Sequence, residues 1–170
     1  LYREQRAASR YHTKKLKEQV GVKVSSMMVT KRDGTKEPVS LDKITNRVSV
    51  LSTGLSIDPI VVAQKAIPGL YNDITSTEID NYLAETSAAL TVEHPDYSNL
   101  AARITSNALH KLTPGFVIAT KNLFEDGLLH ENYYKKVMQN AEEIESIIDY
   151  DRDYSFDYFA LTTLIRAYLL

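Results

Sequence analysis

Apolar and polar positions along this chain mark a hairpin followed by helices. Over residues 28–40 short apolar ends flank a polar, basic stretch around an Asp33-Gly34 step, which predicts a tight hairpin because glycine meets no Cβ clash at positive φ. Beyond Ser40 the apolar spacing is that of helices. Ile44, Val48, Leu51 and Leu55 step along one face of a first helix, which Ser40 or Asp42 caps and Gly54 ends. Asp58-Pro59 opens a second, by the cap-then-proline pattern, with Val62, Ala66 and Leu70 on its face and Pro68-Gly69 at its end. Thr75 and Glu78 form a capping box for a third, carrying Ile79, Leu83, Thr86, Ala89 and Leu90. His94-Pro95-Asp96 breaks the chain before a fourth, marked by Leu100, Ile104 and Ala108.

The expected fold is therefore mainly α: a small hairpin capping four short helices, followed by further helices. After Thr113-Pro114-Gly115 the chain turns helical and aromatic, from Phe116 and Phe124 through Tyr133 and Tyr134 to Phe159 and Tyr168. Three regions follow: a basic arm over 1–26, a compact unit over 27–115, and the start of a second helical region over 116–170. There is no internal repeat.

Charge separates the arm from the rest. Residues 1–25 hold seven Lys/Arg against Glu4 and Glu18, a balance of +5, and the remaining 13 basic and 20 acidic residues give −7. The arm reads as a solvated tail or loose helix, with a nucleic-acid or partner-binding arm as the alternative; its two glutamates argue against a targeting peptide. No apolar run approaches the ~20 residues of a membrane span. The chain has no Cys, so disulfides, thiolate zinc sites and cysteine-centred chemistry lie outside it. It starts at Leu1 rather than Met and stops at Leu170 in an apolar stretch, as a piece of something longer would.

The candidate chemistry lies around the hairpin. Lys31 and Arg32 end the first strand, and Lys43 and Arg47 sit on the first turns of the next helix. Four cations near one hairpin and one helix start suit a multiply charged anion such as a phosphate chain. A surface hairpin with solvated charges is the competing reading. His94 and His110 have no partner at ligand spacing. Asp149, Asp151, Asp153 and Asp157 imitate a calcium loop, but Arg152 interrupts them and the pivot glycine and terminal glutamate are missing.

Three blocks taken together carry a resemblance: V-T-K-R-D-G-T-K-E-P-V-S-L-D-K-I (29–44), H-P-D-Y-S-N-L-A-A-R-I with L-H-K (94–111), and I-I-D-Y-D-R-D-Y-S-F-D-Y-F (147–159). The first resembles the ATP-cone, an adenine-nucleotide-sensing domain. All three in order resemble the N-terminal region of the large subunit of class I ribonucleotide reductase. That resemblance implies ATP or dATP as allosteric effector, with Mg2+, and regulation of overall activity in deoxyribonucleotide synthesis. It also implies a large-subunit homo-oligomer, a radical-generating small subunit and a cytoplasmic location, with nucleic acid and membrane not expected as partners.

Carried across residue by residue, the resemblance assigns Lys31 and Arg32 to the phosphates and Glu37 to the base or ribose. Val29, Val39 and Ile44 become the apolar wall of an adenine slot, and Lys43 reaches in from helix one. Ser76, where the family usually has Thr, opens helix three, with Asp80 one turn on, and Lys111 completes the phosphate contacts from helix four. The plainer readings make Glu37 a strand-exposed carboxylate and Asp80 a first-turn helix charge.

After Tyr158-Phe159 the family usually continues with Gly, a Lys and a Glu-Arg pair. This chain has Ala160, Thr162 and Ile165-Arg166. The family's three active-site cysteines are absent here, so no catalytic residue is expected in these 170 residues. The alternatives are a free-standing, non-catalytic ATP-cone module from a split or decayed reductase, or a nucleotide-sensing repressor. Such repressors place a four-cysteine zinc ribbon before the cone.

Overall fold

The structure, a computed structural model, describes residues 27–169; the basic arm over 1–26 lies outside the described residues. Strand β1 (Met28–Thr30) pairs antiparallel with β2 (Lys36–Pro38), Val29 facing Glu37 across the ladder. The turn between them is closed by Gly34 N–H donating to Lys31 O and Lys31 N–H to Thr35 O. Gly34 takes φ +82°, the left-handed conformation for which the Asp-Gly step selects. The Asp33 carboxylate accepts from both the backbone N–H and the hydroxyl of Thr35, which holds its pKa below the usual value.

The expected hairpin is in fact two strands of a three-stranded sheet in the order β2-β1-β3. Strand β3 is only Ile74–Thr75 and runs parallel to β1, with Val29 opposite Ile74. Asp73 enters it at φ +64°, a conformation aspartate tolerates, while its N–H donates to Met28 O. A two-residue strand has no alternation to betray it.

Helices α1 (Leu41–Leu51), α2 (Pro59–Ala66), α3 (Ser76–Ala89) and α4 (Asp96–Leu112) follow the apolar spacing. Ser40 caps α1 by accepting from Lys43 N–H, and Asp58 caps α2 ahead of Pro59. Thr75 and Glu78 form the reciprocal capping box of α3. The Thr75 groups and the Tyr71 hydroxyl that donate to Glu78 keep its carboxylate acidic. Such caps stabilise by ~1 kcal/mol each, because helix-start N–H groups otherwise lack partners.

Val48, Val62, Leu83, Leu100 and Ile104 are fully enclosed and join Val29, Ile44, Ile74 and Ile79 in one core beneath the sheet. Burying a side chain of this size contributes ~1.5–3 kcal/mol. The most extensive helix pairing is α3 against α4. Arg103 of α4 donates through Nη1 to Leu51 O and Thr53 O, satisfying carbonyls at the open end of α1.

The later residues form α5 (Phe116–Glu125), α6 (Glu131–Gln139), α7 (Ala141–Ile147), a 3₁₀ segment (Tyr150–Ser155), α8 (Tyr158–Leu164) and a short π-type turn (Ile165–Leu169). Glu145 of α7 accepts from Val117 N–H and so supplies the side-chain cap that α5 lacks. Phe124 and Tyr134 stack with centroids 4.1 Å apart. Helix α8 lies along α4 and buries Leu161. His110, near the end of α4, meets Asp153 at 2.7 Å with the rings of Tyr150 and Tyr154 beside it. The acids that imitate a calcium loop serve local structure: Asp149 and Asp157 cap, and Asp153 holds His110. No described helix is long and apolar enough to cross a membrane.

Candidate functional site

The hairpin, α1 and the start of α3 enclose a cavity of about 440 Å³, within the range of small-molecule sites. Its apolar side is Val29 of β1, Val39 after β2, Ile44 of α1, and Ile79 and Leu83 of α3. Its polar side is Lys31, Arg32, Asp33 and Glu37 of the hairpin, Ser40, Lys43 and Arg47 of the α1 region, and Ser76. One space therefore joins an aliphatic wall to a set of cations.

The charged groups divide into two sets, each a carboxylate shared by two cations. On the outer side Glu37 meets Lys31 Nζ at 2.7 Å and Lys43 Nζ at 3.0 Å. The bond from Lys31, and then that from Lys43, hold the Glu37 carboxylate below its ordinary pKa, and the same contact raises that of Lys31. On the inner side Asp80 of α3, only 1% exposed, accepts from Arg32 Nη2 at 2.7 Å through one oxygen. Its other oxygen takes Arg47 Nη1. Arg47 Nη2 continues to Asn107 Oδ1 of α4 at 3.0 Å, and its Nε is buried without a partner.

Lys111, one turn beyond Asn107, belongs to the same electrostatic neighbourhood. The surrounding protein desolvates its ammonium and lowers its pKa; Arg47 and Arg32 push the same way and Asp80 opposes them. Ser76 stands at the first position of α3, where free N–H groups and the helix dipole favour an anion.

Of the expected site residues, Val29, Lys31, Arg32, Glu37, Val39, Lys43, Ile44 and Ser76 face the cavity. Asp80 does not: it lies behind the wall, holding two arginines that do. Lys111 adjoins the inner cations without lining the space. Arg47, a cation on α1 outside the set that the resemblance assigns, lines the cavity. Ser40, Ile79 and Leu83 also line it, although the sequence marks them only as cap and core. The sequence does not mark Asn107, since its part depends on where α4 crosses α1.

A small sheet thus packs with four helices, and a cavity joining apolar and cationic side chains lies beneath the hairpin. Residues 27–112 match the ATP cone domain family, and the chain belongs to it. It is 45% identical over 157 residues to the ribonucleoside-diphosphate reductase large subunit of Arabidopsis thaliana, covering 85% of this chain and 19% of that one. Against the protein of the same name from Dictyostelium discoideum it is 44% identical, covering 86% and 19%. Against that of variola virus it is 41% identical, covering 85% and 20%. The chain thus spans about a fifth of the length of these relatives. ATP-cone domains bind adenine nucleotide effectors.

Proposed function

We propose that this chain is the adenine-nucleotide-sensing region of a ribonucleoside-diphosphate reductase large subunit, where ATP or dATP sets the overall activity of the enzyme. The observation that carries the reading is the single cavity joining an apolar slot to clustered cations. Likeness to reductase large subunits over 85% of the chain supports the placement.

In this reading Val29, Val39 and Ile44 sandwich the adenine, which demands flat apolar contact. Glu37 offers an acceptor to the base or ribose, and Lys43 reaches the nucleotide from α1. Lys31 and Arg32 meet the phosphates, joined by Arg47, by Lys111 from α4 and by Ser76 at the α3 start. Asp80 works from behind, fixing the two guanidiniums. The chain fits such a ligand: the inner set of Arg32, Arg47 and Lys111 against Asp80 leaves a surplus of two positive charges, and Arg47 Nε has no partner. Among the described residues no cluster of acids or histidines could hold a metal. A Mg2+ ion accompanying the nucleotide would then be held by phosphate oxygens and water, as this cation commonly is.

The reduction itself belongs to cysteines this chain does not contain. Its regulatory consequence would be exercised through a cytoplasmic large-subunit homo-oligomer and a radical-generating small subunit. Calorimetry of the 170-residue chain with ATP, dATP and GTP tests the reading. ATP or dATP should bind in preference to GTP; equal affinity for all three would leave a generic anion site, and no binding would mean a degenerate cone.

A further inference from the structure

The inner charge group ends on a neutral side chain. Arg47 is fixed at both Nη atoms, Nη1 by the Asp80 carboxylate of α3 and Nη2 by the Asn107 carbonyl of α4. The second Asp80 oxygen is committed to Arg32, so Asp80 alone sets only one edge of the Arg47 guanidinium. Asn107 supplies the second point, and two points on different helices define the plane in which Arg47 faces the cavity.

The choice of an amide over a carboxylate has an electrostatic consequence. Arg32, Arg47 and Lys111 against Asp80 leave a charge of +2 beside the cavity. An Asp at position 107 would orient Arg47 more strongly, through a charge-assisted bond, but would halve that surplus. An amide orients without neutralising. We propose that Asn107 is a positioning residue of the anion site, aiming Arg47 at the phosphates of an adenine polyphosphate while leaving the cluster's positive charge in force. The proposal rests on the nucleotide reading of the same cavity and deepens it.

Orientation and neutralisation are separated by two variants of the full 170-residue chain, Asn107→Ala and Asn107→Asp. ATP affinity is measured by calorimetry at fixed salt and stability by thermal unfolding without ligand. Loss of the orienting bond in Asn107→Ala should weaken ATP by about fivefold, and the added charge in Asn107→Asp by about tenfold or more, on the usual scale of charge-assisted contacts. Asn107→Asp should nevertheless unfold no earlier than the parent, and both losses should shrink with AMP, which brings less phosphate charge. A purely structural residue would make affinity follow stability, so Asn107→Asp binding ATP as tightly as the parent overturns the proposal. Both variants within twofold of a binding parent would overturn it as well and leave the cavity's nucleotide reading intact. A parent chain that binds no adenine nucleotide removes that reading and this one together.

Discussion

The outer Lys31–Glu37–Lys43 group and the inner Arg32–Asp80–Arg47 group share one composition, a carboxylate between two cations, but differ in setting. Glu37 is half-buried, its partners are flexible, well-exposed lysines, and water reaches all three. Asp80 is almost wholly enclosed, its partners are planar guanidiniums, and a third side chain, Asn107, completes the network. Solvated pairs of this kind stabilise a fold little and rearrange readily. A buried carboxylate between two arginines is structural, because removing it leaves two partly enclosed guanidiniums facing each other without their shared anion. The outer group is therefore suited to exchange partners with a ligand, and the inner group to hold still while one arrives.

The largest expected effect breaks the inner group. Asp80→Ala should lower the stability of the free chain by about 3 kcal/mol, near the low end for an opened buried pair because both arginines keep some solvent. Chemical denaturation reads this, and a change within error would mean that Asp80 is no keystone. Glu37→Gln, the matching change in the outer group, should leave the melting temperature essentially where it is. With Lys31 and Lys43 released from their internal anion, inorganic tripolyphosphate should bind more tightly while the margin of ATP over tripolyphosphate narrows. An unfolding shift comparable to that of Asp80→Ala would erase the distinction between the two groups.

The smallest effect concerns protons. Desolvation and the neighbouring arginines lower the pKa of Lys111, so the free protein carries less than a full charge there as pH climbs towards that lowered value. In the free chain a base with a lowered folded pKa opposes folding while protonated in the unfolded state, and this penalty fades with rising pH. A polyphosphate beside Lys111 raises the pKa again, so binding should take up protons on the alkaline side and release none. Calorimetry in buffers of different ionisation heat measures the sign, and Lys111→Met should abolish the uptake.

The parts of the fold written in local chemistry were readable from the chain. The Asp33-Gly34 turn, the Asp58-Pro59 start and the Thr75/Glu78 box each depend on residues within a few positions of one another, and each forms as the sequence dictates. Strand β3 escaped because its two residues gain strand geometry only from β1, more than 40 positions earlier. The candidate site divides in the same manner. The hairpin and α1 cations that line the cavity are close in sequence and could be grouped by position, whereas Glu37 and the apolar wall of Val29, Val39 and Ile44 came from the family resemblance. Asp80 sat in the expected region, but its burial behind the wall follows from the α3–α4 contact, and Asn107 becomes visible only where α4 crosses α1.

Helix α4 is a rod of 17 residues, about 25 Å long at 1.5 Å per residue. Its final turn carries two neighbours with different surroundings: Lys111 beside the like-charged Arg32 and Arg47 and the opposing Asp80, His110 paired with Asp153 beside the tyrosines of the 150–155 segment. Consecutive helical side chains diverge by about 100°, so the two reach different parts of the molecule. A single turn of backbone therefore serves both the cation cluster and the aromatic segment that follows.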